Sequence, residues 1–372
     1  MVHFGVAAQA IGGDSFFGRM VYDRVIPRDH FLMRLDEIIP WQRFTYKLVK
    51  YYRGGAKEGR PPYDPALLLK MLLVAYLYNL SERQVEQVAN FNLAVECFLG
   101  LPADELAPDH SPLTAFNSRI MENGRLGAFA KLLTEIICIA REKGIRLGTI
   151  QVLDSVHTIA DVNVEKDKKR QEKDKPARNP NAKWGVKGSR QLKDEEGREV
   201  EQKEYFYGYK AHVSLNAESG LITSMVHAPG DAYDGHELPK LLQKDLAQGL
   251  PVEIVTADRA YDDSNNHQLL WNQGIHSAIR LHSYRTQKKD PHKDIWGQLQ
   301  QSSAYEQGSQ ERYKIERKFG EAKQQHGLRR CRYVGIVRYA IQSFLAALVL
   351  NLKRMVLLLT GVPFKGRTRA LA

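Results

Sequence analysis

Cysteine is scarce: Cys97, Cys138 and Cys331 are the only three in 372 residues, and no two have the close spacing of a metal knuckle. That excludes a zinc ribbon and a disulfide framework and suits a reducing compartment. Unbroken hydrophobic runs are missing too. The most apolar late stretch, Ala340 to Leu359, is interrupted by Gln342, Asn351, Lys353 and Arg354. It reads as a buried amphipathic helix, not a membrane span. Met1 to Gly13 have neither a cationic leader nor a long apolar core, so they do not read as a signal peptide. Internal repeats are absent. Acidic residues are thin toward the C-terminus, where from Leu281 onward 18 Lys and Arg stand against 6 Asp and Glu. The formal net charge of +11 is therefore concentrated in the last quarter of the chain. A local positive field of this kind points to a polyanionic partner, because phosphate binding is driven by cation contacts and counterion release.

A chain of this length is too long for one small core, and two domains are expected. Residues up to about 145 read as helices. Pro65 to Tyr78 is a leucine-rich helical run, and Ser81 with Gln84 three residues later is a capping-box signal for the next helix. A third helix begins near Asp109 or Ser111, with Pro112 in its first turn. Helices at this spacing suit a helix-turn-helix DNA reader or a plain bundle. From Gly148 the texture changes to strand-like runs at Thr149 to Ala160, Tyr205 to Leu215, Leu221 to His227, Val252 to Ala257 and Ser277 to Leu281. Helical segments, Glu237 to Gln248 and Ser264 to Gln273, fall between the third and fourth and between the fourth and fifth. The segment 165–203, dense in charge and poor in apolar residues, reads as a solvated, mobile loop. Within it Trp184 serves either to pack that loop or to stack on an unpaired base.

Two of the strands end in an acid where a buried strand should be hydrophobic: Asp154 after Val152 and Leu153, and Asp258 after Thr256 and Ala257. Either alone reads as a strand-end cap. Farther along, Arg312, Glu316 and Lys323 share one side of a helix, because steps of four and seven residues rotate by about 40° and about 20°. A solvated salt-bridge ladder would have the same spacing. Two acid-tipped strands followed by a helix bearing a glutamate also form a set of hard oxygen donors suited to divalent cations. A pair of such ions about 4 Å apart can activate a nucleophile and stabilise the leaving oxygen of a phosphodiester.

With these residues the chain resembles a DDE transposase of a bacterial insertion sequence. The likeness is to the branch whose signature is tyrosine, two residues, arginine, three residues, glutamate, six residues and lysine. Arg312, Glu316 and Lys323 fit it, while Ser309 stands at the tyrosine position. The phrases Gly208-Tyr209-Lys210-Ala211-His212-Val213, Asp258-Arg259-Ala260-Tyr261-Asp262 and Leu80-Ser81-Glu82-Arg83-Gln84 carry the same likeness, which runs from about residue 25 to 355. The resemblance implies an α/β fold, a ribonuclease H-like mixed-sheet catalytic domain over 146–372 preceded by an all-helical domain over 1–145 that binds DNA ends. In that fold the first and fourth strands are neighbours, so Asp154 and Asp258 face each other.

It further implies that Asp154, Asp258 and Glu316 are catalytic and bind two Mg²⁺ ions, with Mn²⁺ as the alternative. The activity implied is DNA cleavage at element ends followed by strand transfer. Arg312 and Lys323 would neutralise phosphates beside the scissile bond, and Arg329, Arg330 and Arg332 would contact phosphates farther along. The implied partners are terminal inverted repeats, target DNA and a second copy of the chain in a homodimer, with no membrane, in a cytoplasmic, nucleoid-associated setting. Two other readings remain: a DNA-binding regulator derived from a transposase that has lost catalysis, against which the intact carboxylate triad argues, and a ribonuclease H-like nuclease without strand transfer, which shares every site residue. The remaining acids, Asp161, Asp231, Asp234, Glu237, Asp262 and Asp263, read as strand ends or helix caps. His157, on the opposite face of an extended strand from Asp154, reads as structural. Gly320, one turn past Glu316, leaves room for a DNA backbone or for ordinary helix packing.

Overall fold

In the computed structural model, residues 16–51, 63–102, 105–121, 127–193, 199–287 and 291–364 are described, and Met1 to Gly13 lie outside them. Side chains of residues 189–201 are likewise outside the description. Two compact units result, one of Met1–Ala128 with Leu352–Ala372 and the other of Phe129–Asn351.

The first unit is helical: α1 Phe16–Val25, α2 Phe31–Ile38, α3 Gln42–Leu48, α4 Pro65–Leu77, α5 Glu82–Phe91, α6 Leu93–Leu99 and α7 His110–Met121. Its centre is α4, in which every residue is buried. Asp64 starts that helix by accepting from the Ala66 N–H at 2.8 Å, and Pro65 follows at the first helical position, where its missing N–H costs nothing. Lys70 is buried in α4 because its ammonium is fully occupied. It donates to Asp36 Oδ1 and to the Phe98 carbonyl, both at 2.7 Å, and lies 5.0 Å from the Trp41 ring centroid. The capping box expected at Ser81 and Gln84 is present in both directions.

The second unit contains α8 Gly127–Glu142 for most of its length, then β1 Ile150–Ile159, α9 Val164–Gln171, β2 Lys183–Lys193, β3 Glu199–Asn216, β4 Ile222–Pro229, α10 Leu238–Ala247, β5 Ile254–Ala257, α11 Ser264–Asn272, β6 His276–Ile279, α12 Lys293–Gln301, α13 Ser303–Glu311 and α14 Tyr313–Gln325. The long α15, Ile336–Thr360, closes the chain's described helices. The strands form one six-stranded sheet in the order β2-β3-β1-β5-β6, with β4 on β3. Leaving β2 aside, three antiparallel strands are followed by two parallel ones, β5 beside β1 and β6 beside β5. This is the ribonuclease H-like arrangement, with the first and fourth of the expected strands adjacent.

Strand alternation sorts the two faces of the sheet. On one, Leu153, Val255, Ala257 and Ile279 pack with Leu238, Leu241 and Leu242 of α10 and Leu270 of α11. On the other, α13 approaches so closely that a Cβ on Gly308 would stand 2.5 Å from the Ala278 Cβ and 3.2 Å from Thr256. Farther along, α15 covers β3 and β4: Tyr339 stacks on Tyr209 at 4.8 Å, and Asn351 exchanges two hydrogen bonds with the Ile222 backbone, both 2.8 Å. Among the described helices α15 alone is long and apolar enough to cross a membrane, and 67% of its most apolar 18-residue window is buried in the fold. The polar residues that interrupt its apolar run, Gln342 and Asn351, are fully buried and hydrogen-bonded.

The segment 165–203 is not the loop its composition suggests. It holds α9, a turn, β2 and the start of β3. The helix forms because its charges are ordered along the backbone dipole, with Glu165 and Asp167 in the first turn and Lys168, Lys169 and Arg170 in the last. The two strands pair in an antiparallel ladder that satisfies its own backbone, and at its root Phe206 is buried in the domain. Backbone crowding is tightest at Gly208, where a Cβ would fall 2.0 Å from the Thr158 carbonyl oxygen and 3.0 Å from the Ala160 nitrogen. Gly208→Ala should therefore part β1 from β3 and cost about 3 kcal/mol, as overpacking against rigid backbone does. A thermal melt indistinguishable from wild type would show that the strands can shift without penalty.

Candidate active site

Of the two acids expected at strand ends, Asp258 follows β5 but Asp154 lies in the middle of β1, which continues to Ile159 along β3; the two meet because of register. In the parallel pair β1 and β5, Leu153 stands opposite Ala257, so Asp154 and Asp258 follow at the same level, each one residue past the last paired position. Alternation turns both toward the face of Val152 and Thr256, on which α13 packs. Asp258 accepts from the Ala260 N–H at 3.0 Å and Asp154 from the Ser155 N–H at 2.7 Å. The capping role expected of a strand-end aspartate is thus realised at Asp258. A carboxylate retains further lone pairs for a ligand.

Burial raises the Asp154 pKa to about 7, and the negative charge of Asp258 adds to that rise. Burial also raises Asp258, with the charge of Asp234 as the second cause. The guanidinium of Arg312 opposes the shift at both aspartates. Like charges placed together in a partly desolvated site call for a cation, and hard carboxylate oxygens suit a divalent one. In chemistry, though not in number, the donor set fits the expected metal.

Arg312 sits between α13 and α14 with helical backbone angles, and α14 runs beside β1. Glu316, in the first turn of α14, is exposed. Among the described residues no three His, Cys, Asp or Glu side chains are grouped closely enough to hold a metal ion. Arg312, not Glu316, is the neighbour on this helix whose charge acts on both aspartates. Lys323, farther along α14, stands 3.2 Å from His157 Nε2 and 3.4 Å from Nδ1. Burial lowers the Lys323 pKa to about 8, helped by the charges of Lys187 and Arg329 and opposed by Asp154. A Cβ on Gly320 would meet nothing within 4 Å, so helix packing does not account for that glycine. Of the basic run, Arg329 is exposed, Arg330 pairs with Asp161 at 3.1 Å, and the Arg332 N–H donates to Gln342. The backbone of this run bridges to Ile159, at the far end of β1.

Two acids read from sequence as caps have other partners. Asp234 is buried, accepting from Lys210 at 2.6 Å and from the Ser155 hydroxyl at 2.8 Å, immediately beside Asp154 in sequence. It lies in the short helical turn Asp234–Glu237, whose capping position is Tyr233 and has no side-chain cap. Asp262 lies in a buried cluster with His267 and Arg285, each at 3.0 Å, and accepts from the His282 N–H at 2.7 Å. Burial alone would raise its pKa, but these hydrogen bonds and the Arg285 charge outweigh burial and hold it low. Asp263 is the residue that caps α11. The phrase Gly208 to Val213 marked this region without revealing its purpose: Lys210 holds Asp234, and His212 meets the Tyr261 hydroxyl at 3.0 Å. Asp234 is thus tied to β1 through Ser155, its charge raises the pKa of both aspartates, and Lys210 opposes that rise at Asp258.

A mixed sheet of this topology, with one acid in the middle of β1 and one just past the end of the adjacent β5, defines a ribonuclease H-like domain. Residues 20–119 match the family described as Transposase domain (DUF772), and residues 171–352 match the Transposase DDE domain. Both matches are to transposase families, together spanning about three quarters of the chain, and the chain is a DDE transposase. Asp258 and Glu316 fall inside the second match and Asp154 ahead of it. Similar solved structures include the piggyBac transposase in a synaptic complex with hairpin DNA, at 8% identity over 89% of this chain and 75% of that one, with a TM-score of 0.43. The Mos1 transposase paired-end complex with the left transposon end shares 11% identity over 76% and 84%, with a TM-score of 0.19.

Desolvation of Asp154 has a measurable sign. Its folded carboxyl keeps a proton up to about pH 7, whereas an unfolded aspartate releases it near pH 4. The folded state thus binds more protons in that window, and stability should fall as pH rises through it. In metal-free protein Asp154→Asn should be more stable than wild type by on the order of 1–2 kcal/mol at pH 8, with little difference below about pH 4. Denaturant unfolding in the presence of a chelator at the two pH values tests this. An equal difference at both would mean that the carboxyl is not desolvated.

Proposed function

We propose that this transposase cleaves DNA at the ends of its element and joins the freed 3′ end to target DNA, using Asp154, Asp258 and Glu316 as its acidic set. The supporting observation is the pairing of Asp154 with Asp258 at the end of the β1–β5 ladder, with raised pKa values. Divalent cations bound there, Mg²⁺ or Mn²⁺, would supply Lewis acidity to the attacking and leaving oxygens. The two aspartates would provide two fixed hard ligands. Glu316, exposed on a helix that packs on β1, would provide a third by rotation of its flexible side chain.

Arg312 would then exchange its attraction to the aspartates for one to a substrate phosphate, for which its planar fork is suited. Lys323, Arg329, Arg330 and Arg332 would extend that phosphate track, with Arg330 leaving Asp161 to do so. Open space at Gly320 supports close passage of the nucleic-acid backbone. The spacing of Arg312, Glu316 and Lys323 supports membership of the tyrosine-arginine-glutamate-lysine branch, with Ser309 replacing the tyrosine. We assign 1–145 to binding the terminal inverted repeats, 146–372 to catalysis, and the active form to a homodimer, because two ends must be joined together.

Cleavage of end-bearing duplex DNA in Mg²⁺ should fall by at least about 100-fold in Glu316→Gln, beyond what is lost when only a supporting partner of a metal ligand is removed. Asp258→Asn should behave alike. Equal cutting by wild type and Glu316→Gln would remove the glutamate from the site.

A further inference from the structure

The ribbon inserted between β1 and the central part of β3 has its root next to the residues just described. Gly185 of β2 pairs with Phe206 of β3, and a Cβ on Gly185 would stand 2.7 Å from the Phe206 ring and 2.1 Å from the Gly230 carbonyl oxygen. Phe206 in turn lies against His157, ring centroids 4.9 Å apart. His157 also meets Lys323, whose ammonium is nearly equidistant from both ring nitrogens and so sits over the imidazole rather than in line with one of them. Phe206, His157 and the Lys323 ammonium thus form a chain of contacts from the ribbon root to α14.

Just beyond Gly185 the β2–β3 register shifts between Val186 and Gly188, leaving Lys187 as the bulged residue. Bulges of this kind turn a side chain away from its ladder direction. Lys187 pairs with Glu204 on the opposite strand at 3.1 Å and acts electrostatically on both His157 and Lys323. Arg329, whose carbonyl accepts from the Ile159 N–H at 3.2 Å, acts on Lys323 from the end of β1. Cations from β2 and from the turn after α14, Lys187 and Arg329, thus both act on the Lys323 ammonium that lies at His157, with Asp154 as the acid that attracts it. Such a cluster is held against its own repulsion and gains most from a shared anion. The outward side of the ribbon exposes Trp184 at 56% and Tyr205 at 60%, flat rings beside lysines, a combination that suits nucleic acid.

We infer that the β2–β3 ribbon is a DNA-binding arm that brings Lys187 to the flank of the aspartate pair, where it joins Lys323 and Arg329 in holding one backbone phosphate. The inference rests on the proposed role of Lys323 as a DNA contact and adds to it the ribbon, His157 as the neutral seat of Lys323, and a shared phosphate. Binding of end-bearing duplex by the full chain is measured as a function of salt for wild type, Lys187→Ala, Lys323→Ala and the double variant, all in chelator so that no cleavage intervenes.

Each single variant should lower the slope of log affinity against log salt by less than about 1, because the shared phosphate keeps its other cations, and should weaken binding to end and unrelated sequences alike. The double variant should lose less affinity than the two single losses multiplied, because the lysines share one phosphate. Lys187 is exposed, so unchanged thermal melting in its variant separates binding from folding. A normal slope in Lys187→Ala with a reduced one in Lys323→Ala would overturn the arm while leaving Lys323 in place. Normal slopes in both would overturn the Lys323 assignment as well. Strictly multiplicative losses would place the two lysines on separate phosphates and overturn the shared site.

Discussion

Two carboxylates held side by side at the end of a parallel strand pair dominate the energetics of this domain. The hydrogen bonds between β1 and β5 fix Leu153 against Ala257, and the next residue on each strand is an aspartate. Charge repulsion and desolvation then act together, and both pKa values rise. A fold does not keep such an arrangement for stability, since apolar residues at the same two positions would extend the packing around Val152 and Thr256 without any electrostatic cost. The cations nearby belong to the same constraint. Arg312 at the start of α14 compensates both aspartates, and Lys210 answers the third acid, Asp234, from the adjacent strand β3. Each positive group comes from a different element, so the charge balance of the site also ties β3 and α14 to the β1–β5 pair.

Much of this was legible in the sequence where a single local rule decides. Apolar runs of strand length, each beginning or ending at a change in texture, located β1, β4, β5 and β6 within a few residues and all of β3 but its first six residues and last one. An acid where the strand pattern demands an apolar residue singled out Asp154 and Asp258, which the β1–β5 register brings side by side. The pairing of Ser81 with Gln84 specified the start of α5 down to its reciprocal hydrogen bonds. These features depend on contacts close in sequence or on periodicity, and little in the tertiary structure overrides them.

What sequence did not reveal depends on contacts between distant residues. Asp234 precedes a helix, as a cap does, and only the approach of Lys210 and Ser155 makes it part of the site. Asp262 stands one residue before the true cap, Asp263, and its partners His267 and Arg285 lie 5 and 23 residues on. The charged segment 165–203 has the composition of a solvated loop, yet ordered charge along α9 and a self-satisfying ladder between β2 and β3 give it structure. Composition reports whether a segment can bury apolar surface, whereas this ladder satisfies its own backbone and buries Phe206 at its root.

That distinction bears on why the positive charge is arranged as it is. A surplus of lysine and arginine after Leu281 could have been spread over a surface. Instead Lys323 is drawn into partial burial over His157, and burial together with Lys187 and Arg329 lowers its pKa to about 8. A lysine under that pressure is less stable in its charged form than a solvated one, by the same logic that raises the aspartates. Opposite charges crowded on the two sides of β1 thus each lack what the other side of a metal-bound phosphodiester would bring: cations for the carboxylates, and phosphate oxygens for the ammonium and guanidinium groups. Under the proposed assignment, a single substrate with its ions would relieve both strains at once, making tight binding and charge balance one requirement rather than two.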